Sequence, residues 1–197
     1  MLPLVSDGQK DYQSGYIITN DSDTLHGLVK DRKQPPFGRL FKKIRFKDNN
    51  IFPKKFGPNQ IRGYREGTAE YESLWIVESG RFFRVNYASI PGQGEKQFLK
   101  LIIKGPLTYY QQEFQDQESG YFDSVDFFKR NNESEMIRAT QGIFGLKRKV
   151  LSTYFQDCPE LVFRINTRKI KDPVSVVKFY NTWKASFKPD SLGDFSE

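Results

Sequence analysis

The sequence predicts an α+β fold: an N-terminal antiparallel, aromatic-rich β-sheet, open to strong curvature or barrel-like closure, with C-terminal α-helices packed on it. Three observations carry this. Up to about residue 128 the apolar and aromatic residues recur in short, period-two runs broken by turn signals. The 18 Phe and 10 Tyr suit pleated, half-buried strands better than a helical bundle. After Lys129 the period changes to three-and-four spacing, with two Asx/Cys-Pro signals that start helices. Strands in one block and helices in another argue against a doubly wound parallel sheet.

The chain is organised around Gly15–Lys30, GYIITNDSDTLHGLVK. Tyr16-Ile17-Ile18-Thr19 is aromatic and β-branched, Asn20 to Asp23 is turn chemistry, and Thr24 to Lys30 is a second extended run. Period two puts Leu25, Gly27 and Val29 on one face of that run. Thr24, His26, Leu28 and Lys30 fall on the other, wetter face. The pattern is a β-hairpin. Phe41 to Lys47 then alternates, with Ile44 and Phe46 inward and Lys43, Arg45 and Lys47 outward. Pro53 and Gly57-Pro58 predict an irregular piece between that run and the next strand. Gln60–Glu66 and Ala69–Glu78 make a second hairpin around Gly67. Arg81–Ala88, Gln97–Lys104, Leu107–Phe114 and Tyr121–Phe128 are further strands.

In the C-terminal part, Asn131 to Thr140 has helix-compatible content, with Asn131 or Asn132 as cap. Apolar residues at 146, 150, 151, 154 and 155 form a helical stripe. Pro159 and Pro173 each sit at a first helical position, after Cys158 and after the acceptor Asp172. Val176, Val177, Tyr180, Trp183 and Phe187 form the apolar face of the last helix. The expectation is a single domain over 1–197: a β-rich part at about 14–128, a helical part at about 131–187 and a polar tail at 188–197.

Taken in order, several segments resemble one pattern: the hairpin, then KKIRF, QIRGYR, YES, QFLKLIIKGPLTYY, YFQDCPEL and FYNTW. It is similar to that of a family of uncharacterised Bacteroidetes proteins that typically carry export signals, over roughly residues 15 to 183. Ser22 stands where that pattern usually has glycine. The resemblance implies an exported or cell-envelope location and supplies no activity and no catalytic residues.

Charge and motifs bound the function further. The net charge is +7, but it is unevenly spread. Lys30 to Arg62 holds eleven Lys and Arg against two Asp, a local +9; Gln111 to Met136 is a local −5 and Lys147 to Lys171 a local +5. A two-signed surface weakens the case for a dedicated polyanion binder. No apolar run approaches the length of a transmembrane helix. Met1-Leu2-Pro3-Leu4-Val5 is too short for the apolar centre of a signal peptide, so the sequence alone leaves the compartment open. A single Cys, Cys158, and a single His, His26, exclude an intrachain disulfide and a tetrahedral Cys/His zinc site. No metal or cofactor is expected. GxSxG, HExxH, P-loop and dinucleotide signatures are all missing. His26 reads as a residue on the wet face of a strand rather than a base, and Cys158 as a small residue filling a helix start rather than a nucleophile. Asp123 with Asp126, or Glu133 with Glu135, are candidate acid/base pairs for a hydrolase, against the simpler reading of solvated carboxylates.

The sharpest functional signal is basic. Lys43, Arg45, Lys47, Lys54 and Lys55, with Lys42, lie among Phe37, Phe41, Phe46, Phe52 and Phe56. Cations interleaved with stackable aromatics suit a single-stranded nucleic acid. The same cations suit an anionic envelope polymer, a membrane surface or an envelope protein, and they also coat an edge strand against pairing. The reading is a non-enzymatic exported or envelope binding module. A basic nucleic-acid-binding protein is the alternative and a carboxylate hydrolase the third.

Overall fold

The computed structural model describes residues 12–32, 42–48, 52–81, 84–115, 122–142 and 144–187. Eleven strands come first: β1 (Gln13–Thr19), β2 (Thr24–Lys30), β3 (Ile44–Lys47), β4 (Lys54–Phe56), β5 (Ile61–Glu66), β6 (Ala69–Arg81), β7 (Arg84–Ala88), β8 (Glu95–Ile103), β9 (Leu107–Gln115), β10 (Phe122–Arg130) and β11 (Glu135–Arg138). Three helices follow: α1 (Arg148–Tyr154), α2 (Pro159–Asn166) and α3 (Pro173–Ala185). The sheet order is β4-β3-β2-β1-β5-β6-β7-β11-β10-β9-β8, and β8 also pairs with β6. That last pairing closes β6, β7, β11, β10, β9 and β8 into a six-stranded antiparallel barrel. The predicted α+β architecture is therefore present, with the curvature carried to closure.

β6 makes the closure work because it is long enough to serve two neighbours on one edge. Ala69 to Glu72 pair with β5 and Val77 to Arg81 with β7, while Glu70 to Ile76 pair with β8 across the opposite edge. Loop 57–60 lies against the stretch of edge between β5 and β7, where the Ser73 hydroxyl donates to the Pro58 carbonyl at 2.6 Å. The remaining strands, β5-β1-β2-β3-β4, leave the barrel as a free-ended extension.

Three cores stack through this arrangement. Ile76, Leu99, Tyr110, Phe127 and Met136 fill the barrel, as expected for a barrel of this size. On the outer faces of β6 and β8, Tyr71 and Phe98 meet Tyr64, Ile17, Val29, Ile44, Phe46 and Ile61 of the extension. Tyr64 stacks on Tyr71 with ring centres 4.6 Å apart. Tyr109 of β9 and Phe128 of β10 face outward into a third core formed with the helices through Leu151, Phe155, Leu161, Val177 and Tyr180. Strands with both faces covered lose the clean apolar/polar alternation, which is why QFLKLIIK is nearly continuous.

The hairpin has the predicted form: Gly15 pairs with Gly27, Tyr16 with His26 and Ile17 with Leu25. Ser22 takes a left-handed φ of 75° at its turn, the conformation that favours glycine, and Arg62 donates to its hydroxyl at 2.6 Å. The helix signals also behave as read. Asp172 accepts from the Ser175 N–H at 2.8 Å, and Pro159 and Pro173 open α2 and α3.

Four expectations need correction. The 131–140 segment is not a helix. Asn131 is in a turn, its N–H donating to the Pro106 carbonyl, and Glu135–Arg138 forms β11 between β7 and β10. The piece expected to be irregular contains β4, a short edge strand on β3. Val150 is 44% exposed rather than part of the buried stripe of α1. Phe187 lies past the end of α3 and is 65% exposed, its ring packing on Trp183 at 4.9 Å.

Candidate polyanion-binding face

In the register of the extension, Lys30 of β2 stands opposite Arg45 of β3, and Arg45 opposite Lys55 of β4. Residues directly opposite in an antiparallel pair share a face, and adjacent strands run about 4.8 Å apart. The three cations therefore form a row across three strands. Lys47, opposite Leu28, adds a fourth on the same face. The alternate positions point the other way: Ile44 and Phe46 are buried, and the Phe46 ring lies against Gly27, where a side chain would otherwise be.

Arg45 and Lys55 are exposed, and among the described residues neither has an ion-pair partner. Like charges directly opposite one another destabilise a strand pair. Tyr12 lies between two of the cations, its ring centre 4.7 Å from the Lys47 ammonium and 6.0 Å from that of Lys30. The face continues onto β1 and β5, where Gln13, Ser14, Tyr16, His26, Arg65 and Gly67 line a shallow groove of about 380 Å³. His26 packs edge-on to Tyr16 at 5.8 Å, and the Tyr16 hydroxyl donates to Glu70. Burial, and then that carboxylate, push the Tyr16 pKa up to about 12.

Of the five cations singled out in the sequence, the row holds Arg45, Lys47 and Lys55. Lys54 is opposite Phe46, on the other face, and is ion-paired to Asp48 at 3.4 Å. Lys43 precedes β3 and runs beside Gly57. Lys42 pairs with Glu95. The aromatic interleaving is also divided: Phe46 and Phe56 pack edge-to-face with each other at 6.2 Å. Phe52 is 81% exposed, and Phe37 and Phe41 lie outside the described residues. The sequence reading missed Lys30, Tyr12, His26 and Arg65 as members of this face. For Lys30 and His26 the period-two assignment to the wet side was the available signal.

Of the candidate acid/base groups, the Asp123 side chain lies outside the described part of the structure, and the other three each have their own surroundings. Asp126 accepts from Tyr109 at 2.7 Å, Gln111 at 3.0 Å and Thr140 at 2.7 Å, as the polar anchor beneath the helical layer. Asp123 pairs in register with Phe114. Glu133 is ion-paired to Arg130, and Glu135 stands opposite Ala88. Cys158 is buried in the helical core, and burial pushes its thiol pKa up, away from thiolate chemistry. His26 lies on the outer face of β2, in the extension. Among the described residues no group of three His, Cys, Asp or Glu could hold a metal ion.

Compared with protein-family models, curated proteins and solved structures, the chain shows no match.

Proposed function

We propose that the protein is a non-enzymatic binding module of the cell envelope or exported space, and that the Lys30–Arg45–Lys55 row with Lys47 receives an anionic polymer of that compartment. One observation carries the reading. The Arg45–Lys55 cross-strand pair places like charge opposite like charge, with no ion pair for either among the described residues, while Lys30 completes the row with Glu66 near it. That arrangement costs stability in the free protein, and a polyanion lying across the strands relieves it. The resemblance to exported Bacteroidetes proteins supports the compartment.

Nucleic acid is the second reading, favoured by Tyr12, an aromatic ring set among the cations. Stacking platforms for single strands present several rings, whereas Phe46 and Phe56 are turned to the core face.

The test has two arms. The first is fractionation of the native full-length protein, expected in the envelope or periplasmic fraction; recovery in the cytosol overturns the compartment. The second is titration of an acidic envelope polysaccharide and of single-stranded DNA into the wild type and an Arg45→Glu/Lys55→Glu variant. The expected result is salt-sensitive polysaccharide binding that the variant loses. Tighter binding of DNA, also lost in the variant, favours the second reading. Equal binding by both proteins removes the row from the site.

A further inference from the structure

A second basic surface lies at the helical end, in a different part of the chain from the sheet face, and its reading does not depend on the one above. Leu146, Ile165 and Ile170 line a groove of about 290 Å³, with Arg148, Arg168 and Lys171 also bordering it. All three cations are exposed, and among the described residues none has an ion pair or a ring partner. No carboxylate lines the groove among the described residues; Asp172, next to Lys171 in sequence, caps α3. Beside the groove, Phe144 is 77% exposed in the turn between Gln141 and Gly145, which is closed by the Thr140–Leu146 bridge.

Arg168 adds an independent observation. It follows the end of α2 with φ of 59°, where its N–H closes onto the Ile165 carbonyl and the next N–H onto that of Arg164. Glycine is the residue that holds this position without strain. Here the strained position carries an unpaired cation, and strain of that kind gathers at functional sites.

We propose that this end of the molecule docks on an anionic phospholipid surface. The Phe144 ring enters the headgroup boundary, while Arg148, Arg168 and Lys171 hold lipid phosphates around the groove. An exposed aromatic beside unpaired cations over an apolar floor is the chemistry of peripheral attachment to an acidic bilayer.

Sedimentation of the full-length protein with vesicles tests this, using mixed phosphatidylglycerol and phosphatidylcholine against phosphatidylcholine alone. Wild type is expected to sediment with the acidic vesicles only, and less at high salt. Arg148→Glu and Phe144→Ser should each weaken binding by about fivefold or more. Arg168→Gly separates surface from stability: it should raise Tm by about 2–4 °C while weakening vesicle binding about fivefold. Failure of wild type to prefer acidic vesicles overturns the proposal. So does undiminished binding by the three variants. Loss confined to Arg45→Glu/Lys55→Glu overturns it as well, by assigning the lipid to the sheet face.

Discussion

Gly15 and Gly27 stand directly opposite one another in the first hairpin, and neither has room for a side chain. A Cβ on Gly15 would sit 1.8 Å from the Arg65 carbonyl oxygen; one on Gly27 would sit 2.2 Å from that of Lys47 and 2.8 Å from the Phe46 ring. The obstruction on both sides is backbone, which cannot swing away as a flexible side chain can. Gly15→Ala and Gly27→Ala are therefore expected to cost about 3 kcal/mol or more each, at the upper end of overpacking effects. Urea unfolding monitored by tryptophan fluorescence checks this, and a cost under about 1 kcal/mol would show that the extension has slack.

Gly27 also lets the Phe46 ring pack against β2 on the inner face, while Arg45 stands on the outer face between Lys30 and Lys55. Because the row sets like charges side by side, Arg45→Thr should stabilise the free protein by about 0.2–1 kcal/mol at low salt. The gain should fade as salt screens the repulsion. The same substitution should weaken polyanion binding. A variant that is both less stable and unchanged in binding would mean Arg45 acts through packing instead.

The first hairpin was legible because its turn and both faces are local. So were the starts of α2 and α3, where a proline and a capping position identify the helix from a few residues. The charged row was not. Its members come from three strands, and the register between β2 and β3 is set across a long connection that period two cannot measure. β4 was hidden by its flanking Pro53 and Gly57-Pro58, which forbid a long strand but permit three residues on an edge. Glu135-Met136-Ile137-Arg138 carries helix-forming residues, yet the gap between β7 and β10 decides its state. Met136 fills the barrel and Ile137 the helical core, so tertiary pairing overrides local preference. Closure through β6 and β8 leaves no local trace.

Arg130 is the joint between barrel and helices. Its guanidinium pairs with Glu133 at 3.2 Å and Asp157 at 2.7 Å, and donates to the Tyr154 carbonyl at 2.8 Å. It also lies over the Tyr154 and Tyr180 rings at 4.5 and 5.3 Å. Burial alone disfavours its charge, but Glu133, Tyr180 and Asp157 hold its pKa above the ordinary value. Arg130→Ala leaves two partly exposed acids and a carbonyl without their partner, so a loss of about 1–2 kcal/mol is expected, solvent screening both acids. Arg130→Lys should recover less than half of it, because an ammonium cannot spread over two rings and three acceptors at once. Full rescue by lysine would reduce the role to simple charge.

Alkaline titration should report the aromatic cores. Burial, then hydrogen bonds and nearby carboxylates, push Tyr16 and Tyr180 up to about 12, and burial also raises Tyr64, Tyr71, Tyr109, Tyr110 and Tyr154. In the unfolded chain these phenols ionise near 10. A folded pKa above the unfolded one means that the unfolded state releases protons first. The associated stability is complete below about pH 10 and drains away as pH rises toward the folded values. Tyrosinate absorbance should therefore lag that of free tyrosine above pH 10 and then rise steeply as the chain unfolds. Tyr16→Phe removes one of these phenols and leaves its ring in place, so it should make the alkaline loss shallower. An unshifted tyrosinate curve in the folded protein would contradict the enclosed positions of these rings.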